Sequence, residues 1–203
     1  MTSGVSHLLR RLMLALLCTA VTVSAAAAET AAPAWGIEQL MQNLAQVKSA
    51  RGRFVERKTM AMLNAPLESS GTLIYSAPAR LEKYTLLPKP ESLVLEQDKL
   101  TIEYKERKQR RTLALQDYPV IWIFVESIRS TLAGDLATLS RFYRVNLEGA
   151  DDKWRLSLTP VEPAMRNVVK EIHIGGSRSR VRTIEIIEAE GDRSLMTITE
   201  EAP

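Results

Sequence analysis

The sequence predicts a mainly β (α+β) protein: an antiparallel, strongly curved sheet or barrel with apolar helices packed against it. Three observations carry that expectation. About ten short runs alternate apolar and polar residues, separated by turn residues at roughly ten-residue intervals. One segment near residue 40 instead places apolar residues at helical spacing. A nearly unbroken apolar stretch at 120–125 follows a proline and interrupts the β pattern in mid-chain.

Composition narrows the class. The chain has 203 residues, 27 Lys and Arg against 24 Asp and Glu, 45% hydrophobic residues and one cysteine. That length suits one domain with a sizeable core, and near-average charge excludes a disordered chain or a coiled coil. A single cysteine excludes an intrachain disulfide framework and a cysteine-based zinc site.

Residues 1–28 have the layout of a cleavable secretory signal: Arg10 and Arg11, an apolar run from Leu12 to Val23, then Ala26-Ala27-Ala28 as a small-residue cleavage site. Cys18 follows Leu17, where lipoprotein processing wants a small residue, so it belongs to the apolar run. Cleavage leaves 175 residues with 25 basic and 24 acidic side chains, no cysteine, and His173 as the one histidine. The basic excess is largely the signal's, and gives no argument for nucleic acid. An exported chain without disulfides fits a bacterial periplasm. Residues 29–203 are expected to form a single domain.

After an Ala-rich leader at 29–35, Ile37, Leu40, Met41, Leu44 and Val47 mark one face of a helix. From Arg51 the period changes to two. Gly71, Leu73 and Tyr75 mark one strand. Leu93 and Leu95, then Leu100, Ile102 and Tyr104, flank a polar turn at 96–99, and Leu113 and Leu115 continue the pattern. Further strands carry Tyr143, Val145 and Leu147; Trp154, Leu156 and Leu158; Val168, Ile172 and Ile174; Ile184 and Ile186; and Met196 and Ile198. Between them, Pro119 as first helical residue and Gly134 as stop predict a helix over 119–132, with a buried strand over 120–125 as its competitor. Leu136 and Leu139 suggest a second short helical turn.

The usual chemistry is missing. The sequence has no G-x-S-x-G, no H-E-x-x-H and no phosphate-cradling glycine loop. His173 alternates with Ile172 and Ile174, so it belongs on the opposite strand face as a structural residue. Neither an enzyme, nor a cofactor, nor a metal site is predicted. The most basic stretch, Lys105, Arg107, Lys108, Arg110 and Arg111, lacks the aromatic interleaving of nucleic-acid platforms. Two readings suit it: a solvated hairpin whose charges keep it from pairing with other chains, or a docking surface for anionic headgroups or an acidic partner.

Between Arg51 and Tyr104 the order of motifs resembles the outer-membrane lipoprotein carrier (LolA-like) family. Phe54-Val55-Glu56 stands where the family has F-x-Q, and Gly71-Thr72-Leu73-Ile74-Tyr75 is similar to its G-x-L-x-aromatic strand, followed by Pro78. Pro88, the polar turn at Asp98 and the strand ending at Tyr104 continue the match, as do the proline-led apolar helix and Leu158-Thr159-Pro160. The resemblance implies an unclosed β-barrel with a helical lid, whose apolar interior shields acyl chains in transit between membranes. It implies acylated cargo, an inner-membrane exporter and an outer-membrane acceptor. The chain is expected to act as a monomer. Leu73, Tyr75, Leu81, Leu93, Leu95, Ile102, Ile121, Phe124 and Ile128 are then the expected lining of cavity and lid, though the same residues suit an ordinary core. Departures mark a divergent member. Ala77 stands where the family has a lid-latching arginine, which moves the expected latch to Arg80, and Lys83 stands about where a tryptophan is common. A second reading is a periplasmic lipid- or lipoprotein-sensing regulatory module of the same fold.

Overall fold

The computed structural model describes residues 35–201, and the expectations for the signal and leader lie outside these, Trp35 apart. Helix α1 (Ile37–Ala45) buries Leu40, Met41 and Leu44, the predicted stripe, and ends two residues before Val47. Eleven antiparallel strands follow: β1 (Ser49–Thr59), β2 (Leu67–Ser76), β3 (Arg80–Leu87), β4 (Glu91–Glu96), β5 (Lys99–Tyr104), β6 (Gln109–Ala114), β7 (Tyr143–Ala150), β8 (Lys153–Pro160), β9 (Val169–Ser177), β10 (Arg180–Glu188) and β11 (Arg193–Glu200). They form one open sheet in the order β6-β5-β4-β3-β2-β1-β11-β10-β9-β8-β7. The first and last strands therefore meet in the middle, with Phe54 opposite Ile198.

The eleventh strand, absent from the sequence expectation, is β3. Its residues Leu81, Lys83 and Thr85 share one face, so a lysine and a threonine mask the apolar alternation that identified the others. Two smaller shifts occur. Leu115 leaves the β pattern for a short 3-10 turn (Leu115–Asp117) and is fully buried there. In β9 the buried residue is Val169, and Val168 is exposed.

The chain between the two edge strands β6 and β7 is helical: α2 (Pro119–Ala133) and α3 (Leu136–Phe142). A single-turn helix α4 (Pro163–Arg166) lies between β8 and β9. Helix α2 is the predicted Pro119 helix, not the competing strand. Gly134 ends it at φ 70, where the left-handed backbone and the nearby Met41 carbonyl leave no room for a side chain. The Asp135 carboxylate then accepts from the Thr138 amide at 2.9 Å and caps α3.

All helices whose packing is resolved lie against one face of the sheet, here termed the inner face. On it Leu156, Leu158, Ile172 and Ile174 of β8 and β9 form one core with Leu40, Met41, Leu44, Ile123 and Leu139. A second, smaller core joins Leu95 and Leu100 to Leu115, flanked by Leu81, Leu93, Ile102 and Leu113 and by Ile121, Trp122 and Val125 of α2. Helix α2 thus touches both halves of the sheet.

Candidate functional site: the inner face and its covering helix

Strand register settles which side chains share this face. Tyr75 pairs with Leu81, Leu81 with Leu95 and Leu95 with Leu100, giving one cross-strand row. The next row runs Leu73, Lys83, Leu93 and Ile102. All six sheet residues expected to line a cavity therefore lie on the inner face. Tyr75 and Leu95 are buried, whereas Leu73, Leu81, Leu93 and Ile102 are only half-buried.

Helix α2 divides its side chains unexpectedly. Apart from Ile123, its fully buried residues are polar: Glu126, Ser127, Ser130 and Thr131. Ser127 donates to the Phe124 carbonyl and Thr131 to the Ser127 carbonyl, both at 2.6 Å, so these hydroxyls are satisfied by the helix's own backbone. Arg129 pairs with the Glu126 carboxylate. Meanwhile Ile121, Trp122, Phe124, Val125 and Ile128 stay half-buried. Ile121 faces the smaller core, and Phe124 and Ile128 border the larger one. Tyr143, under the helix, donates to the Ile123 carbonyl at 3.1 Å. Burial pushes its phenol up to about 12, despite an opposing hydrogen bond with Ser127.

A polar group on the inner face escaped sequence reasoning. Lys83 Nζ lies 2.6 Å from Glu56 Oε2, and Ser194 Oγ donates to Glu56 Oε1 at 2.6 Å, with Ser69 Oγ at 3.4 Å from Oε2. The ammonium also stands 4.9 Å from the centre of the buried Phe54 ring. Burial pushes the Glu56 carboxyl up, but the Lys83 charge and the hydrogen bonds from Lys83, Ser194 and Ser69 outweigh it and hold it below its ordinary value. The available signal was parity: Glu56 is two residues from Phe54, and Lys83 two from Leu81, each on the same strand face. Glu56 closes the stretch matched to the family's F-x-Q and Lys83 is one of the departures noted above, and the structure brings them together.

The other singled-out residues lie elsewhere. Arg80 is on the outer face, where it pairs with Glu82 at 2.9 Å and Glu96 at 2.6 Å. The arginine that ties α2 to the sheet is Arg129, whose guanidinium donates to the Gln97 carbonyl at 3.0 Å. Lys105, Arg107 and Lys108 occupy the exposed β5–β6 turn, Arg110 projects from the outer face, and Arg111 shares a face with Ile102. His173 sits on the outer face between two carboxylates, Glu171 and Glu185, each 3.0 Å away. Among the described residues, no group of His, Cys, Asp and Glu has the arrangement of a metal site, and no helix is long and apolar enough to cross a membrane.

No curated protein matches this sequence. Among solved structures, a LolA superfamily protein from Nitrosomonas europaea is similar at 11% identity, with 84% of this chain and 96% of that one covered and a TM-score of 0.44. The MucA/MucB complex of Pseudomonas aeruginosa gives 16% identity over 82% of this chain and 57% of that one, with a TM-score of 0.47. A putative outer membrane lipoprotein-sorting protein domain from Vibrio parahaemolyticus gives 8% identity, 82% and 91% coverage and a TM-score of 0.43. The family model described as outer membrane lipoprotein carrier protein LolA-like matches residues 25–202. That span takes in every strand and helix of the sheet and its cover, and the chain belongs to the LolA-like family.

Proposed function

We propose that this protein is a non-enzymatic periplasmic carrier, exported by its N-terminal signal and acting as a monomer. It shields the acyl chains of lipoproteins or another lipid passing from the inner to the outer membrane. The observation that supports this reading is the inverted burial of α2. A helix that serves only to complete a core buries its aliphatic side chains. This one buries hydroxyls and a carboxylate beside Ile123, and leaves Ile121 half-buried against Leu93 and Ile102, and Phe124 and Ile128 half-buried at the edge of the larger core.

Such a surface suits acyl chains on physical grounds. Each methylene withdrawn from water contributes about 0.8 kcal/mol without demanding a fixed orientation. Cargo is therefore covered strongly but not gripped by geometry, and hand-over needs only that α2 move. An inner-membrane exporter loads the carrier and an outer-membrane acceptor empties it. Lys105, Arg107, Lys108, Arg110 and Arg111 on the exposed β5–β6 hairpin offer the docking charge for headgroups or an acidic partner.

The test is native mass spectrometry of protein purified from an envelope fraction, followed by lipid extraction. Co-purifying acyl lipid or lipoprotein is the expected result. Protein that is uniformly lipid-free, and that takes up no lipid from micelles, overturns the carrier reading.

A further inference from the structure

An ion pair set among half-buried aliphatic residues calls for a reason beyond stability. Removing two charges from water is costly, so such pairs seldom stabilise more than the aliphatic residues that would replace them. The Glu56 and Lys83 side chains retain only 19% and 25% exposure. Lys83 sits within the row Leu73–Lys83–Leu93–Ile102, flanked by half-buried aliphatic residues. Two residues along the same strand face, the buried Thr85 hydroxyl has no hydrogen-bond partner. A buried hydroxyl left unpaired destabilises the fold. The cluster therefore sets a cation, a carboxylate and an unused hydroxyl beside the half-buried Leu93 and Ile102, with Glu91 opposite Thr85 and Arg111 opposite Ile102 on the same face.

We infer that this cluster receives the headgroup of the carried lipid, and that the headgroup is a zwitterion combining a phosphate with a primary ammonium. The inference rests on the carrier reading above and specifies its cargo. A phosphate oxygen takes the donors of Lys83 and Thr85, while the ammonium takes the Glu56 carboxylate in place of Lys83. Each charge leaves one partner and gains another, so the exchange adds no unpaired charge to the face. A purely anionic headgroup meets Glu56 without compensation, and an uncharged one cannot replace either member of the pair. The acyl chain runs along Leu93 and Ile102 toward Ile121 of α2.

The experiment measures binding of three lipids with the same single acyl chain to the full chain: lysophosphatidylethanolamine, lysophosphatidylglycerol and monoacylglycerol. The first is expected to bind at least about tenfold tighter than either of the others, the worth of one charge-assisted hydrogen bond. K83M and E56Q are expected to reduce that preference to within about threefold. T85V, which conserves volume, is expected to lower the preference by about threefold. Equal affinity of the native chain for all three lipids overturns the inference and leaves the carrier reading standing. A preference that survives K83M and E56Q also overturns it. Failure to bind any of the three removes the carrier reading and this inference together. Should K83M fail to fold, the native panel and T85V still decide.

Discussion

Arg129 of α2 donates to the main-chain carbonyl of Gln97 at 3.0 Å, with the Asp98 carboxylate 4.0 Å from the same guanidinium. This contact ties the covering helix to the β4–β5 turn, and Arg129 also neutralises the buried Glu126. R129M therefore strands a buried carboxylate and is expected to destabilise the protein by about 2–4 kcal/mol. R129M/E126L removes both charges and should recover most of that loss. Urea unfolding of the two single variants and the double variant measures the coupling. Additive losses would show that the pair does not act as a unit.

The half-buried face of α2 is open to a direct test. F124D and I128D should each abolish uptake of acyl lipid while far-UV circular dichroism still reports the folded sheet. Global unfolding of both variants would instead assign these side chains to ordinary core packing.

Tyr143 sets an alkaline limit. Its phenol ionises near 10 in the unfolded chain and is pushed up to about 12 in the fold by burial. The folded state favours the neutral form, so this contribution to stability is complete below pH 10 and is lost as pH rises toward 12. Y143F should flatten the stability profile over that window, and should cost about 1 kcal/mol at neutral pH through the lost bond to the Ile123 carbonyl.

Carboxylates set the acid limit with the opposite sign. Burial raises both Glu56 and Glu185. Glu56 is nevertheless held below its ordinary value by Lys83, Ser194 and Ser69, and Glu185 by His173 and Arg193. Their contribution is present above the ordinary carboxylate value of 4.5 and disappears as pH falls through the lowered folded values. Thermal melts of E56Q between pH 3 and pH 7, a range of about four units around that value, should show a shallower acid loss than the native chain.

Gly71 is a packing requirement. It faces Thr85 across β2 and β3, and a side chain there would run into the Tyr84 carbonyl. G71A should destabilise by about 2 kcal/mol or more, because backbone and not a flexible side chain must give way. Equilibrium unfolding measures it.

What the sequence made legible follows from which faces are aliphatic. Strands such as β8 and β9 announce themselves because Leu156, Leu158, Ile172 and Ile174 supply clean alternation. Strand β3 stayed hidden because its inner face bears Lys83 and Thr85, the residues that make it interesting. The pairing of Lys83 with Glu56, 27 positions away, depends on the joint register of β1, β2 and β3, which no local pattern encodes. Arg80 looked suited to a latch from its place in the chain, but its neighbour Leu81 faces inward, so Arg80 itself faces out. Arg129 reaches Gln97 through the rotation of α2 about its axis, which its buried serines and threonine dictate and its apolar content did not reveal.

The adjacency of the first and last strands has a kinetic consequence. The meanders β1–β6 and β7–β11 are each built from neighbouring hairpins and can assemble from local contacts. The seam that joins them, with Gly52 opposite Glu200 and Phe54 opposite Ile198, closes a loop of nearly the whole domain. Closure across that distance is slow, and until β11 arrives β1 has an unpaired flank able to recruit another chain. The two ends of the sheet thus act as a clasp, fastened after the two meanders have formed.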